Sequence, residues 1–158
     1  LILLAILQSS LISRITLLQG SADLLLLFLI AWASQDRVKN AWFWAVLGGT
    51  VMSFLSGLPF VVLILSYLAI VLGVRLVIKS IWQVPILMML IGTTLGTILL
   101  LGVQFLVRVI SGVPLPFGES LSLVILPSIL LNLLFSIPVY TLVTDLANWL
   151  FPTEKDAS

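Results

Sequence analysis

The sequence predicts an all-α integral membrane protein, a bundle of about six transmembrane helices. Hydrophobic residues fill 61% of the 158 positions and charged residues only 8%. Soluble domains carry roughly 25% charged residues, so this chain has too few charges to coat a water-facing surface. Mean hydropathy is +1.32. The charges and the Gly/Pro/Ser clusters also fall at intervals that leave apolar runs near the ~20 residues a membrane helix needs.

The first span is expected over 1–18, with its apolar core from Leu1 to Ile12, fading near Arg14. The chain opens without Met, so native residues are expected before Leu1. No basic region or small-residue cleavage site marks this start as a signal peptide. Gly20-Ser21-Ala22-Asp23 reads as a turn and helix N-cap. The second span is expected over 21–34; its apolar run, Leu24 to Ala33, is short and must start near Ser21 to approach full depth. Gln35 to Asn40 is a polar loop. No charge then occurs until Arg75, too long a run for one helix. Ser56-Gly57-Leu58-Pro59 divides it, with Pro59 suited to a first helical turn. The third and fourth spans are therefore 41–55 and 58–78, closed by Lys79-Ser80. Pro85 reads as a helix start, giving a fifth span over 83–110. Ser111 to Ser120 is a Pro/Gly loop. The sixth span is 121–150, residues 1–151 form one transmembrane domain, and 152–158 are a polar tail.

Lys and Arg set the expected orientation. With a cytoplasmic N-terminus, the inner side carries Arg37, Lys39, Arg75, Lys79 and Lys155, and the outer side only Arg14 and Arg108. Both termini are then cytoplasmic. Trp32, Trp42, Trp44, Trp82 and Trp149 fall at inner helix ends, as an interfacial aromatic belt requires.

Several chemistries are excluded. There is no Cys and no His. Disulfides, thiolate metal sites and Ser-His-Asp catalysis are therefore out of reach. A net charge of +1 provides no field for nucleic acid. No phosphate-binding Gly-rich motif occurs. The acids Asp23, Asp36, Glu119, Asp145, Glu154 and Asp156 all lie outside the depths of the proposed spans, which argues against proton relays and ion coupling. No catalytic, metal or cofactor residues are expected.

The last span carries a polar ridge. Ser128, Asn132, Ser136, Tyr140, Thr144 and Asn148 recur every four residues and so share one helix face. In lipid such groups turn inward as packing glue, each worth roughly 0.6–2 kcal/mol. The fifth span offers a matching face in Thr93, Thr97, Gln104 and Arg108, with Gly92 and Gly96 admitting a close neighbour. Pro127 and Pro138 each free a carbonyl one turn back, so their kinks are expected to face protein. Gly48-Gly49 reads as a close-packing contact. Arg108 is expected to pair with Glu119 or snorkel to headgroups, and Asp145 to pair with Arg75 or Lys79.

Three stretches together resemble the MreD family, the membrane subunit of the bacterial rod-shape complex, over nearly the full chain. They are the opening, with Gln8-Ser9-Ser10 and the Leu run after Asp23; GGTVMSFLSGLP, Gly48 to Pro59; and PSILLNLLFSIPVY, Pro127 to Tyr140. The family often has an Asp where Ser53 stands here, so no role of that acid carries over. The resemblance implies a non-enzymatic scaffold in the bacterial plasma membrane. Its partners would be an MreC-like single-pass protein, with RodA, its penicillin-binding transpeptidase and MreB, in peptidoglycan synthesis and cell-shape control. It also implies a fold similar to the substrate-binding subunits of energy-coupling-factor transporters. That makes a solute-binding transporter subunit the competing expectation. For a scaffold, Gly92/Gly96 and Ala5/Ser9/Ser13 are candidate grooves for a partner helix.

Overall fold

A computed structural model describes residues 2–3, 6, 10, 16–17, 20–36, 38–78, 84–113 and 116–152. The groove assigned to Ala5/Ser9/Ser13, along with Lys79, Trp82 and the tail from 153, lies outside the described residues. The described chain is helical apart from loops and a small antiparallel pairing of β1 (Thr16–Leu17) with β2 (Gly20–Ser21). Helices α1 (Leu24–Ala33), α2 (Ala41–Ser56), α3 (Phe60–Ile78) and α4 (Pro85–Ile110) follow. The last rod joins α5 (Phe117–Ser120), a π-helical turn (Leu121–Ile125) and α6 (Leu126–Leu150). Three helical stretches, Phe60–Val77, Pro85–Ile110 and Phe117–Leu150, are long and apolar enough to cross a membrane. At 1.5 Å per residue the 26 residues of α4 reach about 39 Å, beyond the ~30 Å hydrocarbon layer. The chain is a multi-pass membrane protein.

The second span departs from expectation. Helix α1 has only 10 residues, or about 15 Å, half the hydrocarbon depth. All ten are buried, because neighbouring helices surround α1. Extended backbone from Gly20 to Asp23 supplies the rest of the passage. Contacts with α6 show the register. Ser21 N–H donates to Ser128 Oγ (3.1 Å), Asp23 N–H to Asn132 Oδ1 (2.7 Å) and Gln35 Nε2 to Thr144 Oγ1 (3.0 Å). From Ser128 to Thr144 a helix rises about 24 Å, so the segment from Ser21 to Gln35 runs parallel to α6 through most of the membrane. Non-helical backbone is tolerated at such depth only when protein covers it. Gly20 and Ala22 are buried here, Asp23 is half-buried and Ser21 is exposed; a Cβ on Gly20 would lie 2.6 Å from the backbone nitrogen of Ser128.

Helices α2 and α3 form a tight hairpin. Gly57 ends α2 in the left-handed region (φ 66°), which glycine adopts without a Cβ penalty. A Cβ on Gly49 would come within 2.6 Å of the Ile64 Cα, and one on Gly48 within 2.9 Å of the Leu29 Cδ1. Gly49 thus meets α3 backbone, and Gly48 meets α1.

Helices α4 and α6 run antiparallel, with Thr97 beside Asn132. Just before α6 the Leu126 N–H donates to the Leu121 carbonyl five residues back. This wide turn directly precedes Pro127, which has no N–H for the Leu123 carbonyl. Pro127 is buried, but Pro138 is exposed within an uninterrupted helix. The expectation that the Pro138 site faces protein is therefore corrected. Trp32 does not face lipid. It is 3% exposed, stacked on Phe28 and set edge-on to Trp44. Its place on the enclosed helix α1 removes it from the belt, whereas Trp42 and Trp149 are exposed.

Candidate functional site

Four elements meet around the N-terminus of α1. Asp23 caps that helix, its Oδ1 accepting the Leu26 N–H at 2.9 Å. Its Oδ2 accepts the Tyr67 hydroxyl of α3 at 3.1 Å. Its own N–H donates to Asn132 Oδ1 of α6, and Asn132 Nδ2 donates to Thr97 Oγ1 of α4 at 2.9 Å. The Thr97 hydroxyl donates to the Thr93 carbonyl at 2.7 Å. Tyr67, Asn132 and Thr97 are all buried. The result is one continuous hydrogen-bonded chain from α3 through the start of α1 and α6 into α4.

The cluster lies level with the middles of two long apolar helices. Thr97 stands at the middle of Pro85–Ile110 and Asn132 at the middle of Phe117–Leu150. The twelve residues from Asn132 to Thr144 correspond to about 18 Å of helix. The expectation that no carboxylate lies deep in the membrane is therefore corrected. Asp23 reads as a boundary residue only if the second span is helical throughout. Because Gly20 to Asp23 are extended, the helix begins inside the bundle and carries its cap in with it. A discontinuous span of this kind points its positive end at whatever lies mid-membrane. Here that is its own carboxylate.

The arrangement locks helices together. Removing the Tyr67 hydroxyl deletes a hydrogen bond to a carboxylate, so Tyr67→Phe should lower unfolding stability by about 1–3 kcal/mol. Reversible unfolding in mixed micelles measures this, and an unchanged midpoint would remove Tyr67 from the clamp.

The remaining predicted residues scatter around this clamp. Ser136 is buried and bonds only its own helix, donating to the Leu133 carbonyl. Tyr140 is half-buried against the apolar core. Thr93 is buried and its Oγ1 has no hydrogen-bond partner. A Cβ on Gly96 would sit 3.1 Å from Ile30 and 3.3 Å from Ile70, and one on Gly92 3.1 Å from Ile30. Gly92 and Gly96 thus both meet the chain's own side chains on one side and border an open groove on the other. The Asp145–Arg75 pairing is not formed, and its Lys79 alternative lies outside the described residues. Arg75 donates to the Val38 carbonyl in the loop after α1, while Asp145 is exposed on α6. The turn of α3 that carries Arg75 faces that loop, not α6. Arg108 and Glu119 line one cavity, and among the described residues no hydrogen bond or ion pair joins them. Among the described residues no group of three or more Asp, Glu, His or Cys could hold a metal.

Among the described residues, two open cavities outside the clamp stand out. One, about 330 Å³, sits between the end of α4 and the π-helical turn. The other, about 210 Å³, is an apolar groove between α3 and α4 that includes Ala69, Gly73 and Gly92. Gly73 has open space where a Cβ would stand. Comparison with family models, curated proteins and solved structures gives no match for this chain.

Sequence reasoning missed Asp23 as a deep residue, and it missed Tyr67 entirely. One signal was present. Ser66 and Tyr67 are the polar residues in the middle of a long uncharged apolar run, where a hydroxyl needs a partner.

Proposed function

We propose that this chain is a non-enzymatic scaffold subunit of the bacterial plasma membrane, of the MreD type, which seats the transmembrane helix of an MreC-like partner. Through that partner it helps organise RodA, its penicillin-binding transpeptidase and MreB during wall elongation. In this reading the chain has six spans and cytoplasmic termini, with a fold akin to transporter substrate-binding subunits. The observation that carries the proposal is the groove between α3 and α4. It is apolar and bordered by small residues, and Gly73 leaves its floor open. Small residues let a second backbone approach closely, which is how helices associate in lipid. The polar clamp is turned inward and spent on the chain's own helices, which suits a rigid platform.

The groove is testable without disturbing the fold. Gly73→Leu fills open space, so its unfolding midpoint should stay within about 0.5 kcal/mol of the parent, as for surface substitutions. Affinity purification of the tagged chain from native bacterial membranes should recover an MreC-like single-pass protein, and Gly73→Leu should lose it. Equal recovery with both chains would dismiss the groove as the seat.

A second reading, a solute-binding subunit of a micronutrient transporter, is favoured by the 330 Å³ cavity, whose mostly apolar lining includes Gln104, Arg108, Glu119 and Ser120. It requires paired ATPases and a membrane coupling subunit in the same purification.

A further inference from the structure

We propose that the cavity between the end of α4 and the π-helical turn is a binding site for the headgroup of a phospholipid bearing a primary amine, of the phosphoethanolamine class. This inference stands independently of the scaffold reading. Four polar residues line the cavity: Gln104 and Arg108 from α4, and Glu119 and Ser120 from α5. Leu101, Phe105, Leu123 and Val124 form its apolar walls. A volume of about 330 Å³ falls at the small end of ligand sites.

Charge and depth select the ligand. Arg108 lies in the last turn of α4 and Glu119 in the opening turn of the final rod. Helix α4 outreaches the hydrocarbon layer, which puts both residues at headgroup level. Both are exposed and line one cavity, with no ion pair between them among the described residues. An arginine fork suits a phosphate. A carboxylate across the same cavity suits an ammonium. A phosphoethanolamine headgroup carries those two charges two carbons apart. The apolar wall of Leu101 and Val124 continues toward the membrane interior, where the acyl chains would run. Edge-to-face contact between Phe105 and Phe117, 5.8 Å between ring centres, braces α5 against α4. The π-helical turn supplies residues 121–125, and three of them (Leu123, Val124 and Ile125) line this cavity. Widened turns of this kind are frequent at functional sites.

The test is native mass spectrometry of the full chain in mild detergent, titrated with phosphatidylethanolamine or phosphatidylcholine of identical acyl chains. The two headgroups share the phosphate but differ in the amine: three N–H donors against none. The parent chain should favour phosphatidylethanolamine by about tenfold, which is 1.4 kcal/mol. Glu119→Gln should erase that preference while keeping phospholipid binding, and Arg108→Gln should weaken both lipids. Equal binding of the two lipids by the parent chain, or a preference that survives Glu119→Gln, would overturn the proposal. Displacement by millimolar inorganic phosphate or free phosphoethanolamine would also overturn it, assigning the cavity to a soluble phosphate compound.

Discussion

Asp23→Ala should lower the unfolding free energy by about 2–4 kcal/mol, combining loss of a helix cap with an orphaned buried hydroxyl. The Leu26 N–H and the Tyr67 hydroxyl lose their acceptor together. In lipid the start of α1 has no bulk water to turn to. Asp23→Asn keeps one side-chain oxygen of the same shape and should retain the cap, costing less than half as much. The double variant Asp23→Ala/Tyr67→Phe should fall short of the sum of the singles, because each removes the same hydrogen bond. A strictly additive cycle from unfolding in mixed micelles would show that the two residues do not act on each other.

Gly49→Leu should be the most damaging change in the α2–α3 hairpin. The first added carbon already lies 2.6 Å from the Ile64 Cα and 3.0 Å from its backbone nitrogen. Backbone cannot rotate away as a side chain can, so the helices must separate. Overpacking of this kind costs about 1–3 kcal/mol or more, well beyond the ~1 kcal/mol that replacing a helical glycine returns. Gly73→Leu is the internal control: the same substitution in a helix of the same bundle, but facing open space. Near-equal unfolding midpoints for the two variants would mean that the α2–α3 contact is looser than described.

The sequence made some of this legible. Polar residues at intervals of four along the last helix require one face, and Ser128, Asn132 and Thr144 of that face bond β2, Asp23 and Gln35. The glycine pairs marked close approaches, though not which surface each meets. Gly49 faces the chain's own helices, while Gly92 and Gly96 meet them and also border the open groove. What stayed hidden has a common cause. Hydropathy reads any polar cluster beside an apolar run as a membrane boundary. At Gly20 to Asp23 the cluster instead marks a break inside the bundle, where extended backbone gives way to helix. The depth of Asp23 depends on its long-range partners Asn132 and Tyr67, which no local pattern encodes. The same holds for Arg75. Its place near a helix end was readable, but the Val38 carbonyl it bonds depends on how the 34–40 loop folds back.

The clamp and the groove have complementary parts in the scaffold account. Asp23, Tyr67, Asn132 and Thr97 tie the start of α1 to α3, α4 and α6. That fixes the spacing of α3 and α4, between which the groove opens. A partner helix would then meet a preformed seat and lose little to reorganisation. The most direct test of this account is site-specific photocrosslinking in native bacterial membranes, with the reactive group placed at position 73. A single dominant adduct to an MreC-like single-pass protein is expected, absent when the group is moved to the exposed Leu142 on α6. An adduct to a transporter coupling subunit, or no protein adduct at position 73, would contradict it.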